Sequence, residues 1–307
     1  MFTASTLVAV QGIGKRFAGR QVVADISMTV RAGEVVGLVG ANGGGKTTTL
    51  RILAGLLAAD SGHGAVLGFD LPRSARRVRE RVGFMPQGNS LYPSLSAREN
   101  LRFRAAAFAV PRPGVVVDEL LQAYGLLPFA ALRADRLSGG WARLLQLAAA
   151  VIHSPQLILL DEPTAGLDVA NRHLVWERIM ALARGGVGVV LSTHDLAEAE
   201  RCAQLTLLSA GVALATGSPG SVIAGAEAAV LAVTGEHALA VAGTLSVQPG
   251  VLSCYAQGNA LRLVIDAGAQ RRIRAQLEGL QHRCTDLTPS LEDATLALLR
   301  RRPGVSA

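Results

Sequence analysis

The sequence predicts an α/β fold, an open sheet with a helical insertion, followed by a small C-terminal α+β unit. Three observations predict it. Strand-like apolar runs alternate with helical segments over roughly the first two thirds of the chain. A glycine-rich turn, Gly40-Ala41-Asn42-Gly43-Gly44-Gly45-Lys46-Thr47-Thr48, joins the apolar run at 35–39 to a helix, and residues 40–47 fit G-x-x-x-x-G-K-[ST] without a mismatch. A second apolar run, Leu157-Ile158-Leu159-Leu160, ends in Asp161 and Glu162. In open α/β sheets the carboxyl edge of the strands is where ligands sit.

The turn carries its own chemistry. Glycines let backbone N–H groups face a phosphate chain without Cβ clashes. A helix opening near Lys46 points the positive end of its dipole at the same place. Lys46 supplies a full charge to β- and γ-phosphates, and the Thr47 hydroxyl suits Mg²⁺. The chain has two lysines, Lys15 and Lys46, against 28 arginines. A lysine here is therefore specified, because its compact charge differs from the broad guanidinium fork. A plain glycine turn would leave the full pattern in its strand–turn–helix setting unexplained.

The 307 residues suffice for one large domain and a small one. Apolar residues make up 50% and mean hydropathy is +0.35, yet no run reaches the roughly 18 apolar residues of a membrane span. Lys15 and Arg16 follow the first apolar stretch, the reverse of a signal peptide. The net charge of +7 is carried by dispersed arginines, with clusters at 73–81 and at Arg300-Arg301-Arg302, and reads as compositional bias. Aromatics at 4% exclude a base-stacking surface. Cys202, Cys254 and Cys284 are odd in number and lack C-x-x-C spacing, which excludes a disulfide framework and a zinc site.

In chain order, 7–10 and 22–30 read as strands, with a turn at 14–20 that carries Phe17. Phe17 reads equally as a staple under that turn or as a ring stacking on a purine. The helix after the phosphate loop runs to about 57, and 60–64 reads as the turn that ends it. A strand, an arginine-rich helix and the strand 82–85 follow, closed by Pro86-Gln87. Beside a nucleotide, Gln87 is placed to meet Mg²⁺ or the attacking water. Residues 88–136 turn helical, with a Ser96–Glu99 capping box. Ser138 is the expected N-cap of a helix at 141–152; beside it Gly139 and Gly140 leave amides open for an anion, although by itself the segment reads first as a plain capped helix. Asp161 suits Mg²⁺, and Glu162 suits a base or water-positioning group. A helix at 171–184 and a strand at 187–191 bring His194 to the same sheet edge.

Together these segments resemble the ATP-binding subunit of ABC transporters, over about 6–220. Residues 40–48 match the Walker A loop. Phe17 falls at the base-stacking aromatic and Gln87 at the Q-loop. Leu137-Ser138-Gly139-Gly140 matches the first four signature positions. Asp161 and Glu162 match the Walker B aspartate and catalytic glutamate, Asp168 ends the D-loop Ala165-Gly166-Leu167-Asp168, and His194 matches the switch histidine. Trp141 departs from the usual polar fifth signature residue and is expected to alter packing at the dimer seam. Ala41 and Gly44 also depart, compatibly with the loop geometry.

The resemblance implies an ATPase using ATP and Mg²⁺, with Lys46, Gln87, Glu162 and His194 catalytic and Thr47, Gln87 and Asp161 holding the metal. It implies head-to-tail pairing with a second such domain, as a homodimer, the signature of one closing on the Walker A loop of the other. Beyond 222 the pattern reads strand, short helix at 236–243, a hairpin around Gly258-Asn259, a helix at 269–280 and a final helix capped by Ser290. The expected domains are 1–222, with a helical subdomain at 88–150, and 223–307. Ser290-Leu291-Glu292-Asp293 before an apolar helix resembles the tail of the ABC-2 exporter type. The expected partner is therefore an integral ABC-2-type permease, with the chain peripheral on the cytoplasmic face of the membrane and without nucleic acid. A soluble ABC ATPase acting on ribosomes or nucleic acid lacks the second cassette or coiled coil usual there. A regulatory nucleotide-binding module that switches but barely turns over is opposed by the intact Asp161-Glu162 pair and His194. An importer ATPase is the third alternative, against which the tail speaks.

Overall fold

A computed structural model describes residues 5–236 and 238–302. The extreme termini and His237, within the helix expected at 236–243, lie outside them. The core is a ten-stranded mixed sheet. Its parallel part runs in the order Val82–Met85, Leu157–Asp161, Gly188–Thr193, Val35–Val39, Gln204–Ser209. Val35–Val39 and Leu157–Asp161 are buried along their whole length, which explains their unbroken apolar runs. The period of two still divides them. Ile158 and Leu160 join the core beneath the insertion helices, while Leu157 and Leu159 pack with Leu50, Ile52 and Leu53 of the helix Lys46–Leu53.

The antiparallel wing is built on Thr6–Phe17 and Arg20–Arg31, paired from Thr6↔Arg31 to Phe17↔Arg20. The turn expected at 14–20 shrinks to Ala18-Gly19, both at positive φ (46° and 81°). Two such residues make the tight hairpin that matches strand twist, so pairing continues through Phe17. The expected helix to 57 stops at Leu53, and the strand expected from 65 begins at Ser61, within the expected turn at 60–64, as Ser61–Val66 against Thr6–Phe17. Its Ser-Gly-His-Gly start has no strand pattern, and pairing with a neighbour overrides local propensity.

The insertion holds helices Ala97–Ala107, Pro113–Ala123 and Gly139–Val151. Ser96 and Glu99 form the expected capping box. The signature helix starts two residues earlier than expected, at Gly139, because extended Ser138 (ψ 159°) already occupies the N-cap. Trp141 turns its ring into the insertion, 4.7 Å from Phe129.

The C-terminal unit is a split β-α-β-β-α-β arrangement. Strands Ala228–Thr234, Val251–Gln257, Ala260–Asp266 and Arg283–Leu287 form one antiparallel sheet, with the first strand between the third and fourth. The expected helix at 236–243 becomes a 3₁₀ turn Ala238–Val241 and a helix Ala242–Ser246. Residue 222, the expected boundary, falls inside the helix Pro219–Gly225. The last helix, Leu291–Arg300, returns to the main sheet, where Leu291 packs with Val39, Leu205 and Val222.

Arg262 pins that helix to the small sheet by a two-pronged pair with Asp293, at 2.9 and 2.5 Å, and the Asp293 side chain has no exposed surface. Burial raises the Asp293 carboxyl pKa. The bonds from Arg262 and Ser290 together outweigh it and hold the group below its ordinary value. A depressed carboxyl contributes stability above its unfolded pKa and loses it as pH falls through the folded one. Asp293→Ala is expected to cost about 3–5 kcal/mol by stranding Arg262, read as a shifted urea midpoint. The deficit should shrink toward acid pH, and a pH-independent difference would contradict the pairing.

Candidate nucleotide site

Gly45 caps the helix Lys46–Leu53 in the left-handed region (φ 94°), and a Cβ there would lie 2.7 Å from the Val22 carbonyl. Glycine is therefore required by both conformation and space. The first amides of that helix have no intrahelical partner and face a cavity of about 390 Å³. Its walls include Asn42 to Thr48, Gln87 and Glu162. Lys46 is 5% exposed, and its Nζ donates to the carbonyls of Gly40 (2.7 Å) and Ala41 (3.1 Å).

The ends of two neighbouring strands supply the acidic wall. Thr47 Oγ1 donates to Asp161 Oδ1 at 3.0 Å, and Ser192 Oγ donates to the same oxygen at 2.6 Å. Ser192 Oγ in turn accepts from the Glu162 N–H at 2.8 Å. Glu162 sits at φ 50°, a conformation that costs a non-glycine residue about 1–3 kcal/mol and needs surrounding support. That support comes from Ser192 on its N–H and from Arg143 and the Ala165 N–H on its carbonyl. The carboxylate divides between two partners. Oε2 lies 2.8 Å from His194 Nδ1, and Oε1 forms an ion pair with Lys46 Nζ at 3.2 Å without hydrogen-bond alignment.

A second set of bonds ties the loop after Glu162 to the segment around His194. Thr164 and Thr193 both donate to the buried Glu198 carboxylate. Arg172 pairs with Asp195 at 2.8 Å. Asp168 caps the helix Val169–Arg184 by accepting from the Asn171 N–H, and that bond leads the influences holding its carboxyl below the ordinary value.

The structure thus gathers the phosphate loop, Gln87, Asp161, Glu162 and His194. It does not bring Leu137, Ser138, Gly139 or Gly140 to the same cavity. Ser138 and Gly139 are exposed, and the Ser138 side chain makes no cap bond. Gly140 is buried against Asn171, whose side chain would lie 2.2 Å from a Cβ. Phe17 is exposed, with Lys15 Nζ 5.6 Å from its ring, outside the cavity wall. Sequence reasoning does not reach Ser192, Arg143, Thr164 or Glu198. Ser192 at least stands two residues before His194, at the end of a legible strand, but the others have partners far away in the chain.

The oxygen donors Thr47 and Asp161, with Gln87 lining the same cavity as Thr47, fit a hard divalent cation. No group of three or more His, Cys, Asp or Glu among the described residues forms a closed metal cage. Such a donor set suits Mg²⁺, which keeps waters and substrate oxygens in its shell. No helix among the described residues is long and apolar enough to cross a membrane.

Known proteins are similar to this chain. Residues 23–165 match the family model described as ABC transporter. The Nod factor export ATP-binding protein I of Rhizobium leguminosarum bv. viciae is 36% identical over 301 residues, covering 94% of each chain. Its namesake from Bradyrhizobium diazoefficiens is 42% identical over 215 residues, 69% of this chain and 70% of that one. A solved ATP-binding subunit of an ABC transporter superposes with a TM-score of 0.65 at 29% identity, over 71% of this chain and 92% of that one. An ATP-binding cassette described as a dimer bound to ADP and Pi shares the fold, with a TM-score of 0.64 at 23% identity over 69% and 98%. With a phosphate loop facing an Asp-Glu strand end and a relative aligned along nearly its whole length, the chain belongs to the ABC transporter family, as an ATP-binding subunit that hydrolyses ATP.

Proposed function

We propose that this ATPase powers export through a separate ABC-2-type membrane permease, from the cytoplasmic face of the membrane. The observation that carries the reading is the alignment with an export ATP-binding protein through the C-terminal unit as well as the ATPase core. In this reading Lys46 and the loop amides hold the phosphates of ATP. Thr47, Asp161 and Gln87 hold Mg²⁺, which when bound neutralises charge on the phosphate oxygens. Glu162 orients the attacking water and accepts its proton. His194, 2.8 Å from Glu162, contacts the γ-phosphate and keeps the carboxylate aimed.

Ser138, Gly139 and Gly140 serve a second copy of the chain. The helix N-terminus they form, exposed at Ser138 and Gly139, lies outside their own cavity and offers open amides to the phosphates held by the partner. Closure on ATP and opening after hydrolysis then move the permease, engaged near Gln87 and the helical insertion.

Affinity purification from detergent-solubilised native membranes tests the export reading. Co-purification of a polytopic membrane protein is the expected outcome. Recovery with ribosomal proteins or nucleic acid, and no membrane subunit, would overturn it. Phe17→Ala is expected to weaken nucleotide affinity roughly tenfold, the worth of one stacked base, without disturbing the fold. Unchanged affinity would return Phe17 to the role of a staple beside its turn.

A further inference from the structure

A hydrogen-bonded chain joins the segment after Gln87 to the backbone of Glu162 by way of the signature helix Gly139–Val151. Gln146 Nε2 donates to the Gly88 carbonyl at 3.0 Å and to Ser90 Oγ at 3.4 Å. Gln146 Oε1 accepts from Arg143 Nη1 at 3.0 Å, and Arg143 Nη2 donates to the Glu162 carbonyl at 3.0 Å. The three-residue spacing puts both side chains on one face of the helix. Gln146 is 3% exposed. The surrounding helix is apolar, with Leu144, Leu145, Leu147 and Ala148 all in the core.

Placing a buried amide and a half-buried guanidinium among such residues is costly unless their polar atoms are partnered. Here the partners are each other, the backbone on either side of the site and the Ser90 hydroxyl. Burial pushes the Arg143 guanidinium down from its ordinary value, while Asp161 and Glu162 pull it back. The bond to Glu162 falls on a residue held at φ 50°. A displaced carbonyl there rotates the unit that carries the carboxylate.

We propose that Arg143 and Gln146 are positioning residues that transmit the placement of the 87–90 segment to the Glu162 carboxylate. Hydrolysis then depends on where that segment sits, although neither side chain touches the nucleotide. The proposal rests on Glu162 as the group that activates water. It also accounts for a polar pair on a helix whose other buried positions are all apolar or glycine.

The test compares steady-state hydrolysis with binding of a fluorescent ATP analogue in the purified full chain. Arg143→Met is expected to lower kcat about tenfold or more, as misplacement of a reacting group does, with affinity within about twofold of the native chain. Gln146→Leu leaves the Arg143 bond to Glu162 and should lower kcat by about threefold. The double variant should match Arg143→Met within about twofold, because both act along one path. Arg143→Lys keeps the charge but lacks the planar fork that sets Nη1 on Gln146 and Nη2 on the Glu162 carbonyl, and should not rescue turnover. It also replaces Arg143→Met if that variant fails to fold.

Native kcat in the Arg143 variants, an affinity loss matching the kcat loss, or multiplicative losses in the double variant would overturn the relay. Glu162→Gln is the control. Inactive Glu162→Gln beside a normal Arg143 variant sinks the relay alone, and an active Glu162→Gln sinks the assignment beneath it.

Discussion

Glu162→Gln is expected to bind ATP as tightly as the native chain and to hydrolyse it roughly 100- to 10 000-fold more slowly, the usual share of a general base. The amide keeps the size and outline of the carboxylate. It loses the basicity needed to accept a proton from water. Shape matters here because the side chain is 5% exposed, between Lys46 and His194. Truncation to alanine would strand both partners, whereas glutamine retains an oxygen for one and a polar group for the other. Single-turnover hydrolysis beside equilibrium nucleotide binding separates the two effects. Normal turnover in this variant would remove Glu162 from the chemistry and leave it as a partner of Lys46.

Lys46→Ala is expected to weaken ATP binding about 100-fold, equivalent to about 2.8 kcal/mol. That is the scale of one charge-assisted hydrogen bond in a largely buried site. Nζ is held by the Gly40 and Ala41 carbonyls and the Glu162 carboxylate, so the charge is oriented before any phosphate arrives. The variant therefore lacks both a phosphate ligand and the cation that balances Glu162. Lys46→Arg should recover little, since the guanidinium is broader than the space around a side chain that is 5% exposed. Calorimetric titration with ATP measures both variants, and circular dichroism checks that the fold survives. Native affinity in Lys46→Arg would mean that charge alone matters at this position.

The legible parts of the site share one property, which is that their geometry is local. A glycine loop that must turn at φ 94° and open a helix is written in nine consecutive residues. Asp161 and Glu162 are legible because a buried strand has to end somewhere, and its end carries them to the sheet edge. The capping boxes at Ser96 and Ser290 are equally local. Elements that lack a local signal are not legible in this way. Ser61–Val66 begins with an exposed Ser-Gly-His run that has no strand pattern, and becomes a strand only beside Thr6–Phe17. Arg283–Leu287 is an edge strand with no fully buried residue, so its sequence carries no strand pattern.

By itself the sequence determined the α/β class, the phosphate loop, the acidic strand end and the place of the helical insertion, because each follows from backbone sterics or hydrophobic period within one segment. Only the tertiary structure decided that Ser192 locks Asp161 to the Glu162 amide, that Glu198 binds Thr164 to Thr193, and that Arg143 reaches the Glu162 carbonyl. All but the Thr193–Glu198 bond join groups 19 or more residues apart in sequence. Their partners are chosen by which strand ends and helix faces the packed core brings together, and no local period encodes that choice.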